Sequence, residues 1–264
     1  MTAIIMVTHF LDKRIIDRYR RLRDQAGIRY DIFLVVQSDE CSICGLPDDI
    51  RAMRFSMSDL QEMDLPAIAE SIVPGSVHFI MIRFFMEYPH YDFYWSVEYD
   101  VEMDGDWKPL FSECARHDTD LIACDIQDFD ENPYWYWWRA ISLREAQVPV
   151  VRRTRSFNPI YRLSARAVRL LLQRQKEGDG GHFEVLIPTA LKAYGLTLGD
   201  LNRNGRYALP NLSRDYYRHD FPHPHGSMRH TPSISPECLD GSSGFLFHPC
   251  KWTRGECERT LKEI

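Results

Sequence analysis

The stretch Tyr94-Trp95-Ser96-Val97-Glu98-Tyr99-Asp100-Val101-Glu102-Met103-Asp104-Gly105-Asp106-Trp107 turns from aromatic to acidic within a few residues. A buried strand that ends in carboxylates is costly unless those charges find a partner. Side chains alternate along a strand, so Glu98 and Asp100 point the same way. Two hard oxygen donors suit Mg2+ or Mn2+ that also holds phosphate oxygens. The carboxyl end of a strand is where open α/β sheets bind ligands. The competing reading is a solvated acidic turn. Asp104-Gly105-Asp106 makes no EF-hand-like calcium loop, because no Glu stands at the closing position.

Other residues offer chemistry with less support. Tyr134-Trp135-Tyr136-Trp137-Trp138 places five aromatics in a row, and these cannot all face one core. Those left exposed present faces on which the C–H side of a sugar ring stacks. Cys41-Ser42-Ile43-Cys44 lacks the second pair that a zinc site needs. His223-Pro224-His225 sits in a polar stretch and reads as solvated. No GxSxG or P-loop is present, so those mechanisms lack their nucleophile or phosphate cradle.

The elements that must position these residues follow from periodicity. Ala3 to Thr8 reads as a buried strand, and Leu11 to Gln25 as a helix with Ile15, Tyr19 and Leu22 on one face. Gly27 stops that helix. Tyr30 to Val36 is a second strand that runs into Gln37-Ser38-Asp39. Strand, helix, strand implies a parallel sheet with helices on its faces. Residues 45 to 75 read as short helices or turns punctuated by proline. Val77 to Met86 reads as a buried helix, with strands at Tyr91 to Val97 and Leu121 to Cys124. Helices are expected at Leu163 to Gln175, capped by Ser164, and at Glu184 to Tyr194. Residues 202 to 244 are polar and loop-like, long enough for a functional lid. With no repeat and no second core, residues 1 to 264 are expected to form one domain.

Bulk properties exclude several classes. The 264 residues are 44% hydrophobic and 27% charged, the composition of an ordinary globular protein. A net charge of −6 argues against nonspecific nucleic-acid binding. Arg18-Tyr19-Arg20-Arg21-Leu22-Arg23 reads as the wet face of a helix, and Val151-Arg152-Arg153-Thr154-Arg155 as a loop that could meet a phosphate. Seven scattered cysteines suit reduced thiols in a cytosol. No run reaches the ~18 apolar residues of a membrane span, and the first strand is too short for a signal sequence. A cytoplasmic protein without a transmembrane segment is expected.

The triplet Glu98-Tyr99-Asp100 after a hydrophobic strand resembles the DxD metal motif of glycosyltransferases with the GT-A fold, in an ExD form. The block Trp95 to Trp107 is similar to the Glu-Tyr-Asp-Val…Gly-x-Trp signature of a little-characterised glycosyltransferase family. Gly181 to Thr189 and Phe247-His248-Pro249-Cys250-Lys251 fit the same pattern. The departure is Glu98 where the family has Asp. The resemblance implies a GT-A-like, Rossmann-like α/β/α sandwich with a mostly parallel central sheet. It implies Mn2+ or Mg2+ bound directly by Asp100, with Glu98 reaching the metal through water or the donor ribose. His248 would complete the metal shell and Asp39 would read the nucleotide base. The partners it implies are a nucleotide-sugar donor, a UDP-sugar foremost, and a glycan, lipid or protein acceptor.

Transfer to a hydroxyl with inversion needs a carboxylate that removes the acceptor proton, and Glu184 is the candidate. A Glu in the first turn of a helix is also favoured there by the dipole, and His248 also fits a core histidine. Asp125 and Asp128 are alternative bases. Two competing functions remain. One is a metal-dependent hydrolase using Asp100, Asp104, Asp106 and the histidines of residues 219 to 230, with two metals ~4 Å apart. The other is a non-catalytic carbohydrate-binding domain built on Trp135 to Trp138.

Overall fold

The computed structural model describes residues 1–39, 46–218 and 226–252; the Cys41–Cys44 pair, His223 and His225 lie outside them. The chain opens with β1 (Thr2–Thr8), α1 (Lys13–Ala26), β2 (Tyr30–Gln37), β3 (Ala52–Phe55), α2 (Met57–Gln61) and α3 (His78–Glu87). It continues through β4 (Phe93–Glu98), β5 (Glu102–Met103), α4 (Lys108–Cys114), β6 (Leu121–Asp128) and β7 (Ile141–Ser142). It closes with β8 (Thr154–Ser164), α5 (Ala165–Lys176), β9 (Gly180–Gly181), α6 (Phe183–Ala193), β10 (Leu198–Asp200) and β11 (Leu246–Phe247).

Seven strands form one sheet in the order β10-β6-β8-β4-β1-β2-β3. All pairings are parallel except those of β8, which runs antiparallel between β4 and β6. Alternation along β1 explains the layers. Ala3, Ile5 and Val7 pack beneath Phe84 of α3, Leu171 of α5 and Leu191 of α6. Ile4 and Met6 face the other way, against Ile15 and Tyr19 of α1 and Phe111 of α4. A sheet covered on both faces needs near-continuous apolar strands, which is what β1 and β2 supply. The α/β architecture with a mostly parallel sheet is as the sequence implies. Asp12 caps α1 by accepting from the Ile15 amide at 3.0 Å, and Gly27, at φ 82°, ends it. Ser164 caps α5 as expected.

Four expectations need correction. The segment Val151 to Arg155 is not a loop throughout: Thr154 and Arg155 begin β8, whose eleven residues are all buried. Arg155 pairs with Asp125 and donates to Gln127 at 3.0 Å, so it is engaged within the sheet. Residues 45 to 75 contain a strand, β3, besides the short α2. The Arg18 to Arg23 run is only partly a wet face, since Arg18 and Arg21 both pair with buried Glu102. The 202 to 244 segment also differs from a lid in its first part. Leu209, Leu212, Tyr216 and Tyr217 belong to the same core as Ile4. Among the described residues no helix is long and apolar enough to cross a membrane.

Candidate metal and active site

From β1 the chain moves outward to β2 and β3, then returns to lay β4 on the other side of β1. Such a reversal opens a crevice beyond the strand ends, the usual ligand site of open α/β sheets. Here β1 ends at Thr8 and β4 at Glu98, with Val7 paired to Glu98. A cavity of about 1050 Å3 occupies this crevice. Following the sheet order, its wall runs from Gln37 on β2, past Thr8 on β1 and Glu98 on β4, to Phe157 on β8.

Glu98, Asp100 and His248 converge in the middle of that wall, each offering a ligand atom within 4.8 Å of the others. The His248 Nε2 lies 3.5 Å from Glu98 Oε2 and 3.5 Å from Asp100 Oδ1. The opposite ring nitrogen, Nδ1, is 2.7 Å from the Arg229 carbonyl. Donation to that carbonyl fixes Nδ1 as a protonated nitrogen and turns Nε2 toward the carboxylates, the orientation seen in metal-bound histidines. Asp100 is 3% exposed, and its Oδ1 has no hydrogen-bond partner. An orphan carboxylate oxygen at such depth is expensive, and a cation relieves it. Burial lowers the His248 pKa, but Glu98 and Asp100 outweigh burial and raise it. Two oxygens and one imidazole nitrogen suit Mn2+ or Mg2+. Lys251 stands beside the cluster, with Nζ 3.3 Å from Asp100 Oδ2, and also faces the cavity.

These three residues come from segments far apart in sequence, and backbone contacts hold them in register. The Cys250 amide donates to the Asp100 carbonyl at 2.7 Å. Arg18 of α1 donates to the carbonyls of Tyr99 and, at 3.3 Å, Cys250. Its own position is set by Glu102 at 2.7 Å and by the Trp252 ring, 3.9 Å from the guanidinium carbon. Arg18 therefore clamps the acidic turn to the C-terminal segment.

On the β8 side lies Glu184, at the start of α6. It is 3% exposed, and burial pushes its carboxyl up to about 8 against the pull of Arg155 and the Asn158 amide. His182 caps α6 by accepting from the Glu184 amide at 3.4 Å. Burial holds its imidazole down, to about 4. Trp137 stacks on His182 with ring centres 4.5 Å apart, and both line the cavity.

The structure thus brings together Glu98, Asp100 and His248, and puts Glu184 in the same cavity. Asp39 is placed differently: its carboxylate accepts from the Met57 amide at 2.7 Å, and the cavity wall instead contains Gln37. Asp104 binds the amides of Gly241 and Ser243, and Asp106 accepts from the Lys108 amide at 2.9 Å. Neither joins Asp100 at the cavity, so the two-metal hydrolase lacks its carboxylates. Asp125 pairs with Arg155, and Asp128 is surrounded by Lys192, Thr154, Tyr207 and Arg206. Sequence reasoning missed Arg18 and gave Lys251 no role. Lys251 was within reach as the end of the Phe247 to Lys251 segment. Arg18 carried no local signal, because its partners are backbone carbonyls remote in sequence.

No protein-family model matches the sequence, and no curated protein matches it. Among the solved structures that resemble the chain is an active-site mutant of LgtC, a glycosyltransferase. It is 12% identical with a TM-score of 0.49, over 99% of this chain and 94% of LgtC. A likeness that distant fixes no function.

Proposed function

We propose that this protein is a metal-dependent glycosyltransferase that moves a sugar from a nucleotide-sugar donor to an acceptor hydroxyl. The observation that carries this reading is the buried Oδ1 of Asp100, which accepts no hydrogen bond and faces the oriented Nε2 of His248 at 3.5 Å. Glu98, Asp100 and His248 would hold Mn2+ or Mg2+, which when bound neutralises charge on a departing diphosphate. Lys251 adds a side-chain cation at the same place. Gln37 and His9 are positioned at the β1–β2 end of the wall to meet the nucleoside. A UDP-sugar is the foremost donor.

Glu184 takes the acceptor proton. The acceptor oxygen bonds to the anomeric carbon as the carbon–oxygen bond to the diphosphate breaks, and the electron pair leaves with the diphosphate. A base is most effective when its pKa lies near the working pH, and a value of about 8 meets that condition. Ionising Glu184 inside a dry wall is assisted by Arg155, which lowers its pKa.

The test is a thermal-shift screen of UDP-, GDP-, ADP- and CMP-sugars with and without Mn2+. A ligand at a hundredfold its Kd stabilises by about 2.7 kcal/mol. One nucleotide class should raise the melting temperature only when Mn2+ is present. No shift with any of them contradicts the reading.

A further inference from the structure

We propose that the β8 side of the cavity is the acceptor subsite, and that it takes an uncharged pyranose of a glycan, stacked on Trp137 with its reacting hydroxyl toward Glu184. This rests on the transferase reading. Ligand pockets run to about 1000 Å3, and a cavity of about 1050 Å3 is at the top of that range, with room beside a donor.

Contacts run from the aromatic wall to the candidate base through His182, which covers one face of Trp137. Trp137 lies nearly parallel to His182, at an interplanar angle of 25°. The His182 Nδ1 is in turn 4.0 Å from Glu184 Oε2. The aromatic surface continues outward through Tyr136, edge-on to Trp137 at 4.8 Å and 82% exposed, and Tyr134, two residues earlier, is 95% exposed. Two almost bare tyrosines in one short segment are unusual, since large apolar surface is normally withdrawn from water. The segment is nonetheless firmly placed: Trp138 is buried, and its Nε1–H donates to the Asn132 carbonyl at 2.7 Å. A rigid aromatic shelf beside hydrogen-bonding groups matches a sugar ring, with its apolar C–H face and polar rim.

Charge narrows the class. Burial keeps His182 and His230 neutral near pH 7, and Glu184 is largely protonated there. Among the described residues the only Lys or Arg lining the cavity is Lys251, at the Asp100 end. Glu70 is the remaining acidic residue of the wall. An anionic acceptor would therefore meet no counter-charge on the β8 side.

Saturation-transfer NMR tests this with UDP and Mg2+ present. The probes are methyl glycosides of glucose, galactose, mannose and N-acetylglucosamine, with methyl glucuronide as the anionic control. Saturation should reach the ring C–H protons of at least one neutral glycoside. It should fall by about fivefold in Trp137→Ala, the loss expected of one stacking contact, and return in Trp137→Phe. UDP affinity should be the same in all three proteins. Transfer to no neutral glycoside, an equal signal from glucuronide, or an undiminished signal in Trp137→Ala overturns the proposal. A Trp137-dependent sugar signal in native protein that binds no UDP with Mg2+ would instead sink the transferase reading and leave the sugar site standing.

Discussion

Two acidic clusters in this molecule look alike by composition and differ in what surrounds them. Glu98, Asp100 and His248 form one, and Asp128, Asp130 and Glu131 the other. In the second, Asp128 accepts from Lys192, Thr154, Tyr207 and Arg206, and Asp130 pairs with Arg206 as well. Burial works to raise the Asp128 pKa, and those donors outweigh it and hold the carboxyl well below its usual range. In the first, one Asp100 oxygen has no hydrogen-bond donor, and the histidine is held by the Arg229 carbonyl with Nε2 toward the carboxylates. The difference teaches that a candidate metal site is better marked by a carboxylate oxygen left without a hydrogen-bond donor than by the density of carboxylates. Fully partnered carboxylates hold a fold together, whereas an oxygen without a donor leaves a place for a cation.

Substitutions that break the comparison should separate binding from stability. The largest effect is expected from His248→Ala, which removes the proposed nitrogen ligand. Calorimetric Mn2+ affinity should fall by about a hundredfold or more, above the 10–100-fold typical of outer-shell changes, while the melting temperature of the metal-free protein changes little. Retained affinity would remove His248 from the site.

Glu184 should show in pH dependence. Its folded pKa of about 8 lies above the ordinary 4.5. The folded form therefore holds a proton that the unfolded form releases, so its contribution is full below 4.5 and is lost as pH rises through about 8. Glu184→Gln keeps the uncharged form at every pH. It should be more stable than native protein by up to about 5 kcal/mol at pH 9, with the gap closing toward pH 5. A gap independent of pH would contradict the buried-acid account.

Asp128→Ala is the mirror of His248→Ala. It leaves Lys192, Thr154 and Tyr207 without their shared acceptor, at a cost of about 2 kcal/mol, discounted because the lysine and arginine are half exposed. The melting temperature should fall by about 4–8 °C, and Mn2+ affinity should not move. A smaller change is expected of Arg18→Lys, which keeps the charge but lacks the planar fork that meets the two carbonyls and Glu102 together. Mn2+ affinity should weaken about tenfold. No change would reduce the clamp to a packing contact.

The strands and helices that obey simple periodicity were legible in the sequence: β1, α1 with its Gly27 stop, β2, α3 and the Ser164-capped α5. Strand β8 was not, because Arg155, Ser156, Asn158 and Arg162 interrupt its apolar pattern. Arg162 is satisfied by the carbonyls of Cys114, His117 and Thr119, which no local pattern reveals. The same division runs through the site. Glu98 and Asp100 announce themselves by alternation at a strand end. Their meeting with His248 depends on tertiary packing and entered only through a resemblance. Asp39, which the resemblance assigns to the nucleotide base, accepts from the Met57 amide, and the cavity wall holds Gln37.

The central claim is that a divalent cation is held where β4 ends. Titration of the protein with Mn2+, followed by loss of the free-ion electron paramagnetic resonance signal, tests it most directly. One site per chain is expected in native protein and in Asp128→Ala, and none in Asp100→Ala. Binding that survives Asp100→Ala, or disappears with Asp128→Ala, would contradict the account.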